Sequence, residues 1–323
     1  MTHLAGIDIG GTKIAVCLGK PKEDSTGIEI VGKKQFPTPA TAESAIRSLT
    51  EALDELLQPY GHAAPDAIGI SCGGPLDSKA GLILSPPNLP GWDRIPIVSA
   101  FRKIYGVPVQ LQNDANACAL AEWRWGAGRG CQNMVFLTFG TGMGAGLILD
   151  GRLYAGTNDM AGEVGHMRME ADGPIGYGKA GSFEGFCSGA GIALLARTMA
   201  SKALAAGNPP AFCPSEADLS GITALAVAEA ARSGNALALE VFTVVGKQLG
   251  RGLAVLVDLL NPERIVIGSI YARQQSLLEP IVRDTLGREA LRPSLSVCRV
   301  VPAGLGEQIG DYASLSVAWQ ALN

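Results

Sequence analysis

The residues best placed to do chemistry are Asn113 and Asp114, where an apolar run ends and an alanine-rich run begins. The apolar run, 107–111, predicts a strand, and the run 115–122 predicts a helix. Ligands of α/β proteins bind where a strand's carboxyl end meets a helix's amino end, and a carboxylate there is a candidate general base. An Asp or Asn before a helix is also the usual N-cap, whose oxygen accepts a bond from an unpaired backbone N–H. On this stretch alone the cap is the commoner arrangement, so the rest of the chain has to decide.

Two glycine turns in similar surroundings predict a pair of phosphate-binding hairpins. They read Asp8-Ile9-Gly10-Gly11-Thr12-Lys13 and Phe139-Gly140-Thr141-Gly142. Each turn lies between two apolar runs, a pattern typical of a β-hairpin. Glycines let the backbone approach a ligand, threonine adds a hydroxyl donor, and successive N–H groups form a cradle for phosphate. The pattern GxxxxGK[ST] is absent, so neither turn is a Walker loop. The repetition predicts two lobes of related topology, each with a glycine turn facing the cleft between them.

Further polar residues stand in glycine-rich surroundings. Glu163 and His166 lie in a stretch predicted to be a loop, and Glu184 lies where a helix is predicted to begin. A lone histidine is more often structural than functional. Asn88 lies in a loop, 85–92, whose composition suits a surface loop and a binding loop equally well.

Composition limits the class of protein. The 323 residues are 47% hydrophobic and 17% charged, which is ample for a core and favours two domains or one large one. The net charge is −4 and no Lys/Arg block is present, so neither a nucleic-acid nor a membrane partner is expected. Seven cysteines without a CxxC are typical of a reduced cytoplasmic protein rather than a disulfide framework.

The remaining pattern predicts the elements that position these residues. Helices are predicted at 43–57, 97–105, 190–206, 222–232, 236–260, 277–286 and 310–322, and further strands at 28–36, 67–71, 264–268 and 296–302. Gly246, Gly250 and Gly252 interrupt the longest helix, and each costs about 1 kcal/mol of helix stability against alanine. Close approach of a flat group and helix–helix packing are both open explanations.

Together these motifs resemble the ROK family of sugar kinases, within the superfamily of actin, hexokinase and Hsp70-like ATPases. The resemblance covers nearly the whole chain. The two glycine turns resemble the family's phosphate motifs, and Asn113-Asp114 resembles the pair that holds its catalytic aspartate. Glu163-Val164-Gly165-His166 resembles its Glu-x-Gly-His sugar motif. The stretch 264–269 resembles the strand and turn beside the adenosine, with Ser269 where the family usually has a glycine.

The resemblance implies an α/β fold, the two-lobed, ribonuclease H-like fold of actin-like ATPases with an interlobe cleft. Residues 1–113 with about 305–323 would form the smaller domain, and 114–304 the larger. It also implies ATP-dependent phosphorylation of a hexose, at the 6-hydroxyl of glucose or a related sugar, with Asp114 as general base. Asp8 would hold Mg²⁺, directly or through water. A homodimer is expected.

The remaining site residues also follow from the resemblance. The expected sugar-binding residues are Gly74, Asn88, Asn113, Glu163, His166 and Glu184. The expected nucleotide-binding residues are Gly10, Gly11, Thr12, Lys13, Gly140, Thr141, Gly142, Gly268 and Ser269.

The chain departs from the family in one loop. Many members carry a Cys-x-Cys-Gly-x-x-Gly-Cys zinc loop after the histidine, whereas no cysteine lies between His166 and Glu184 here. Structural zinc takes four N or S ligands, so no zinc is expected, and packing around Tyr177 and Phe183 would hold the loop. The departure leaves the sugar open.

Several alternatives stay open at this point. One is a kinase of N-acetylglucosamine or N-acetylmannosamine. A second is a sugar-sensing ROK regulator without kinase activity, although such regulators carry an N-terminal helix-turn-helix and the first glycine turn here begins almost at Met1. Acetate-kinase-like and chaperone-type ATPases share the hairpins but are not expected to carry the set Glu163, His166 and Glu184.

Overall fold

The computed structural model describes residues 2–22 and 27–322 of the chain. The strands are β1 (Leu4–Ile9), β2 (Lys13–Pro21), β3 (Ile28–Pro37), β4 (Ala67–Cys72), β5 (Leu76–Asp77), β6 (Leu82–Ile83), β7 (Val109–Asn113), β8 (Met134–Phe139), β9 (Met143–Leu149), β10 (Arg152–Tyr154), β11 (Ile175–Gly176), β12 (Lys179–Ala180), β13 (Arg264–Ile267) and β14 (Arg299–Pro302).

The α-helices lie between groups of these strands and at the end of the described chain. They are α1 (Ala42–Leu57), α2 (Ile97–Tyr105), α3 (Asp114–Trp125), α4 (Phe183–Phe186), α5 (Gly189–Ala205), α6 (Ala224–Arg232), α7 (Ala236–Leu260), α8 (Ile270–Arg273), α9 (Gln275–Glu289), α10 (Arg292–Val297) and α11 (Ile309–Leu322). Within the described ranges, no helix is both long and apolar enough to cross a membrane.

Two five-stranded sheets share one topology. The first has the order β3-β2-β1-β4-β7, and the second has the order β10-β9-β8-β13-β14. In the first, β1, β2 and β3 are antiparallel neighbours, whereas β4 and β7 run parallel to β1. In the second, β13 is parallel to both β8 and β14. The repetition seen in the two glycine turns therefore extends to the whole sheet, as expected for an actin-like ATPase.

The chain forms two compact units. One consists of residues 1–132, 146–161 and 304–323, and the other of 133–145 and 162–303. The division at Asp114 that the resemblance implies stays a prediction.

The first sheet is covered on both faces. Its core against α1 and α2 contains Ile7, Leu49 and Phe101, all fully buried. Its opposite face packs on α11, where Leu4 meets Leu315. This approach is so close that a Cβ at Gly69 of β4 would lie 2.1 Å from the Ala318 nitrogen. The helix therefore packs closely along β1 and β4, whose carboxyl ends lead into the candidate site.

Helix packing explains the glycines of α7. A Cβ at Gly246 would lie 2.9 Å from Ile281, and one at Gly250 would lie 2.7 Å from Thr285. Both neighbours belong to α9, so the glycines allow two helices to approach closely. Helix–helix packing is thus confirmed for Gly246 and Gly250, whereas a Cβ at Gly252 would lie 2.4 Å from the ring of Phe183.

The strand predicted at 296–302 is wrong in its first part. Residues up to Val297 form α10, and β14 starts at Arg299. Pro293 occupies the first turn of that helix, where its missing N–H costs nothing. After Pro293, apolar residues alternate with polar ones, which is the strand pattern. The stretch is too short for this pattern to distinguish a strand from a helix.

Candidate active site

Asp114 is the first residue of α3, directly after β7. The Ala115 N–H donates to Asn113 Oδ1 at 2.9 Å and to Asp114 Oδ1 at 2.8 Å. Asn113 is therefore the N-cap, as the common reading of this stretch requires. The Asp114 side chain is exposed to solvent. The cap and the candidate base thus fall on neighbouring residues.

Strand register brings other predicted residues to the same edge of the first sheet. Ile9 pairs with Cys72, and Cys72 pairs with Asn113. The carboxyl ends of β1, β4 and β7 are therefore level, so the first glycine turn, Gly73-Gly74 and Asp114 follow one another along one edge. Ligands of open α/β sheets bind outside this edge.

The first glycine turn is held by hydrogen bonds and by the Asn88 loop. The Gly10 N–H donates to Lys13 O at 3.1 Å, and the Thr38 hydroxyl donates to Gly10 O at 2.6 Å. A Cβ at Gly11 would lie 2.5 Å from Asn88 O. The predicted phosphate turn and the predicted sugar loop are thus in contact.

Gly74, Asn88 and Asn113 form one cluster. A Cβ at Gly74 would lie 3.3 Å from Asn113 Nδ2, and one at Gly73 would lie 3.6 Å from Asn88 Nδ2. Two amide groups therefore lie beside the double glycine that follows β4, as a carbohydrate site with convergent hydrogen-bonding groups requires.

Three carboxyl groups share this end of the first unit. Desolvation, together with the charges of Asp114 and Asp311, raises the pKa of Asp8 from 3.8 to about 6. Water reaches Asp114, but the protein packed around it raises its pKa above the ordinary value, against backbone hydrogen bonds that lower it. Such mutual repulsion favours a cation, and Mg²⁺ prefers oxygen ligands, with few from protein when phosphates supply the rest. The donor set at Asp8 therefore fits Mg²⁺.

Lys33 and Asp311 form an ion pair at this edge that sequence reasoning missed. The ammonium lies 2.8 Å from both carboxylate oxygens. The partners are 278 residues apart, and a lysine in β3 with an aspartate in the first turn of α11 gives no local signal. The pair offsets one of the negative charges near Asp8.

The second glycine turn, in the other unit, is held from both sides. The Gly140 N–H donates to Gly142 O at 3.1 Å, and the Gly144 N–H donates to Thr138 Oγ1 at 2.8 Å. Glu184, expected to bind sugar, accepts the Met143 N–H at 3.0 Å. A Cβ at Gly142 would lie 2.9 Å from its carboxylate. Glu184 therefore also shapes the second glycine turn.

A cavity of about 430 Å³ opens beside this turn. Its lining includes Gly140, Thr141, Gly189, Arg197, Ser269 and Arg273. The Gly189 N–H at the start of α5 donates to Gly140 O at 2.8 Å. Small residues, backbone N–H groups and two guanidinium groups suit a nucleotide. Gly268 lies outside the lining, against Phe136.

Ser269 lies in a backbone conformation that favours glycine, with φ 56° and ψ −112°. Its hydroxyl accepts from Arg273 Nη2 at 3.0 Å. We expect Ser269→Gly to raise the free energy of unfolding by about 1 kcal/mol, because strain is released. Ser269→Ala, which removes the hydroxyl but keeps the Cβ, is expected not to be stabilised. Urea unfolding of both variants measures the difference, and equal stabilities would show that the backbone is not strained.

Glu163 and His166 lie close together in the second unit. The stretch Val164–His166 is a 3₁₀ turn, and the side chains of Glu163 and His166 are both exposed. The His166 ring meets the ring of Tyr177 at a centroid distance of 5.2 Å. Among the described residues, no group of three or more His, Cys, Asp or Glu side chains is placed to hold a metal.

The predicted site residues thus form two groups. The first unit brings together Asp8, Gly10, Gly11, Thr12, Lys13, Gly74, Asn88, Asn113 and Asp114. The second contains Gly140, Thr141, Gly142, Glu163, His166, Glu184, Gly268 and Ser269. Residues that sequence reasoning missed are Lys33, Thr38, Arg273 and Asp311. None of these four had a local signal in the sequence.

Comparison with known proteins places the chain. Residues 4–318 match the ROK family. A glucokinase from Halalkalibacterium halodurans is 34% identical over 284 residues, covering 85% of this chain and 83% of that protein. An N-acetylmannosamine kinase from Salmonella typhi is 31% identical, covering 87% of each. A crystal structure of a ROK family glucokinase from Streptomyces griseus, in complex with glucose and AMPPNP, is 30% identical with a TM-score of 0.75, covering 98% of this chain and 99% of that one.

The chain belongs to the ROK family. The resemblance drawn from the motifs is confirmed, and so are the actin-like α/β fold class and the enzyme class, a sugar kinase.

Proposed function

We propose that this kinase transfers the terminal phosphoryl group of ATP to the 6-hydroxyl of glucose or a related hexose, with Asp114 as general base. The observation that carries the proposal is the position of the Asp114 carboxylate. It is open to solvent, and it lies on the sheet edge that carries the first glycine turn. A sugar hydroxyl is a poor nucleophile, and a positioned base contributes about 10²–10⁴ in rate.

The remaining residues divide between the two substrates. Asn88, Asn113, Glu163, His166 and Glu184 would bond sugar hydroxyls, with Gly74 leaving room for the ring. A site of paired polar groups rejects analogues that lack a hydroxyl. Thr12, Lys13 and Thr141, with the N–H groups of both glycine turns, would hold the phosphates. Gly268 and Ser269 would border the adenosine.

The carboxylate of Asp8 would hold Mg²⁺, directly or through water. Bound Mg²⁺ neutralises charge that develops on the transferring phosphoryl group. Around it, Lys13 lowers the repulsion between Asp8 and its acidic neighbours. The sugar-binding residues would orient the hydroxyl, and Asp114 would accept its proton.

A sugar panel tests the proposal. Purified protein with Mg²⁺ and ATP is offered glucose, mannose, fructose, allose and the N-acetylhexosamines, and ADP release is coupled to a dehydrogenase. Glucose-dependent ADP release with a phosphorylated 6-hydroxyl is the expected result. Sugar binding without ADP release from any member would instead favour a sensor.

A second candidate is an N-acetylhexosamine kinase acting on N-acetylmannosamine or N-acetylglucosamine. The relative from Salmonella typhi, similar over most of both chains, favours it. The two candidates differ in kcat/KM across the same panel. A value for an N-acetylhexosamine at least tenfold above that for glucose would replace the first proposal with the second.

A further inference from the structure

The β11–β12 hairpin ends in an unusual turn beside His166. Gly176 pairs with Lys179, so Tyr177 and Gly178 form a two-residue turn. Their φ values are 44° and 76°. A turn with two positive φ values is usually built from Asn, Asp or Gly, because other side chains are strained there. A bulky aromatic residue at the first position is therefore disfavoured by the local backbone.

Packing does not explain the aromatic residue either, so the expectation that packing around Tyr177 holds the loop is wrong, although Phe183 is fully buried. The Tyr177 side chain is 70% exposed, so burial of its ring stabilises the fold little. Among residues 2–22 and 27–322, its aromatic contact is an edge-to-face one with His166, at an interplanar angle of 79°. A strained residue whose side chain does not stabilise the fold points to a function at that position.

The hairpin itself is anchored by other groups. Arg168 Nη1 donates to Ala180 O at 3.0 Å and to Ala171 O at 3.3 Å. Glu170 Oε1 accepts from Arg251 of α7 at 2.6 Å and from Gln248 at 2.9 Å. These bonds hold both ends of the loop without Tyr177. The ring can therefore be removed while the loop keeps its place.

A lysine of the same hairpin reaches the backbone of the sugar motif. Lys179 Nζ donates to His166 O at 2.5 Å. The hairpin thus contacts His166 twice, through its backbone oxygen and through its ring. Both contacts fix the orientation in which the imidazole is presented to solvent.

We propose that Tyr177 is a sugar-contacting residue and that Lys179 is a positioning residue for His166. The exposed ring would cover an apolar C–H face of the pyranose whose hydroxyl groups His166 bonds. Aromatic side chains combine a flat apolar surface with little loss of conformational entropy on binding. The inference rests on the proposed function, because it assigns the ligand of that same site.

Three substitutions at Tyr177 test the sugar contact. Tyr177→Gly suits the turn and is expected to leave Tm unchanged or higher, while raising the sugar KM and the calorimetric sugar Kd about five- to tenfold. Tyr177→Phe keeps the ring and is expected to stay within twofold of wild type. Tyr177→Asn, which also suits the turn, is expected to behave like the glycine variant. The KM for ATP is expected to stay within twofold in all three.

Lys179→Met tests the positioning role. It keeps the aliphatic chain but removes the donor to His166 O, and a smaller rise of about threefold in sugar Kd is expected, with an unchanged KM for ATP. A matched control is Tyr154→Ala, which removes a tyrosine that is 52% exposed on β10 and is expected to change neither constant.

The outcomes separate this inference from the kinase proposal. Unchanged sugar KM and Kd in Tyr177→Gly would overturn the contact, whatever the wild-type activity. Wild-type protein that binds sugar without consuming ATP overturns the kinase reaction alone, since calorimetry still decides the role of Tyr177. A wild-type protein that binds no sugar of the panel overturns both.

Discussion

Asp114→Asn is expected to lower kcat at least about 10²-fold while the protein keeps its fold and its affinity for sugar and ATP. The amide keeps the shape of the side chain, and its oxygen can still accept the Ala115 N–H that Asp114 Oδ1 now accepts at 2.8 Å. What it lacks is the capacity to take a proton from the sugar hydroxyl. The loss should therefore fall on turnover rather than on either KM.

Stability gives an independent readout for the same variant. The surrounding protein raises the pKa of Asp114, so the folded state disfavours the ionised carboxylate relative to the unfolded chain. Stability from this group is full below the ordinary carboxyl pKa and declines as pH rises through the raised value. At neutral pH the asparagine variant should accordingly have a Tm equal to or above that of wild type. If the variant instead had a lower Tm than wild type, its loss of activity would be explained by a damaged fold.

The raised pKa also sets the acid limb of the pH profile. A general base works only when ionised, so kcat should fall as pH drops through the pKa of Asp114, above the ordinary value of 3.8. Initial rates at saturating sugar and ATP measure this limb. Glu51→Gln, which removes an exposed carboxylate of α1, serves as a control with wild-type kinetics. Near-normal turnover in Asp114→Asn would remove the residue from the mechanism.

Local sequence predicts the parts of this site that local backbone determines. Each glycine turn stands between apolar runs, and each becomes the turn of a hairpin, β1–β2 and β8–β9. The strand-to-helix junction at Asn113 and Asp114 can be predicted because the spacing of apolar residues changes there from that of a strand to that of a helix. Its two functions, cap and candidate base, were not separable, since both need an oxygen at the same turn.

The parts that sequence could not supply depend on contacts between distant segments. No pattern links Lys33 with Asp311 or sets Thr38 on the first glycine turn, because these pairs form only when β3 and α11 pack on the sheet. The hydrogen bond that Glu184 accepts from the Met143 N–H likewise forms only when α4 packs beside β9. The strained turn at Tyr177 contradicts local propensity, and such conflicts concentrate at functional sites.

Asp8→Asn is expected to stabilise the ligand-free protein and to disable the enzyme. Desolvation and the neighbouring charges of Asp114 and Asp311 raise the pKa of Asp8 from 3.8 to about 6. As pH rises from about 4 to about 6, the unfolded chain loses this proton while the folded chain keeps it, so wild-type stability falls in this window. The penalty reaches at most about 3 kcal/mol near pH 8, and the asparagine variant does not incur it.

The same substitution should lower Mg²⁺-dependent turnover at least about 10²-fold, because a neutral amide oxygen is a weaker ligand for a hard cation than a carboxylate. Urea unfolding at pH 4 and pH 8 without Mg²⁺ measures the stability, and a Mg²⁺ titration of initial rates measures the metal requirement. Added Mg²⁺ with ATP should protect wild type against unfolding more than the variant. Stabilisation without lost turnover would show that Asp8 is a destabilising carboxylate with no role in catalysis. Lost turnover with an unchanged Mg²⁺ dependence would show that another residue binds the cation.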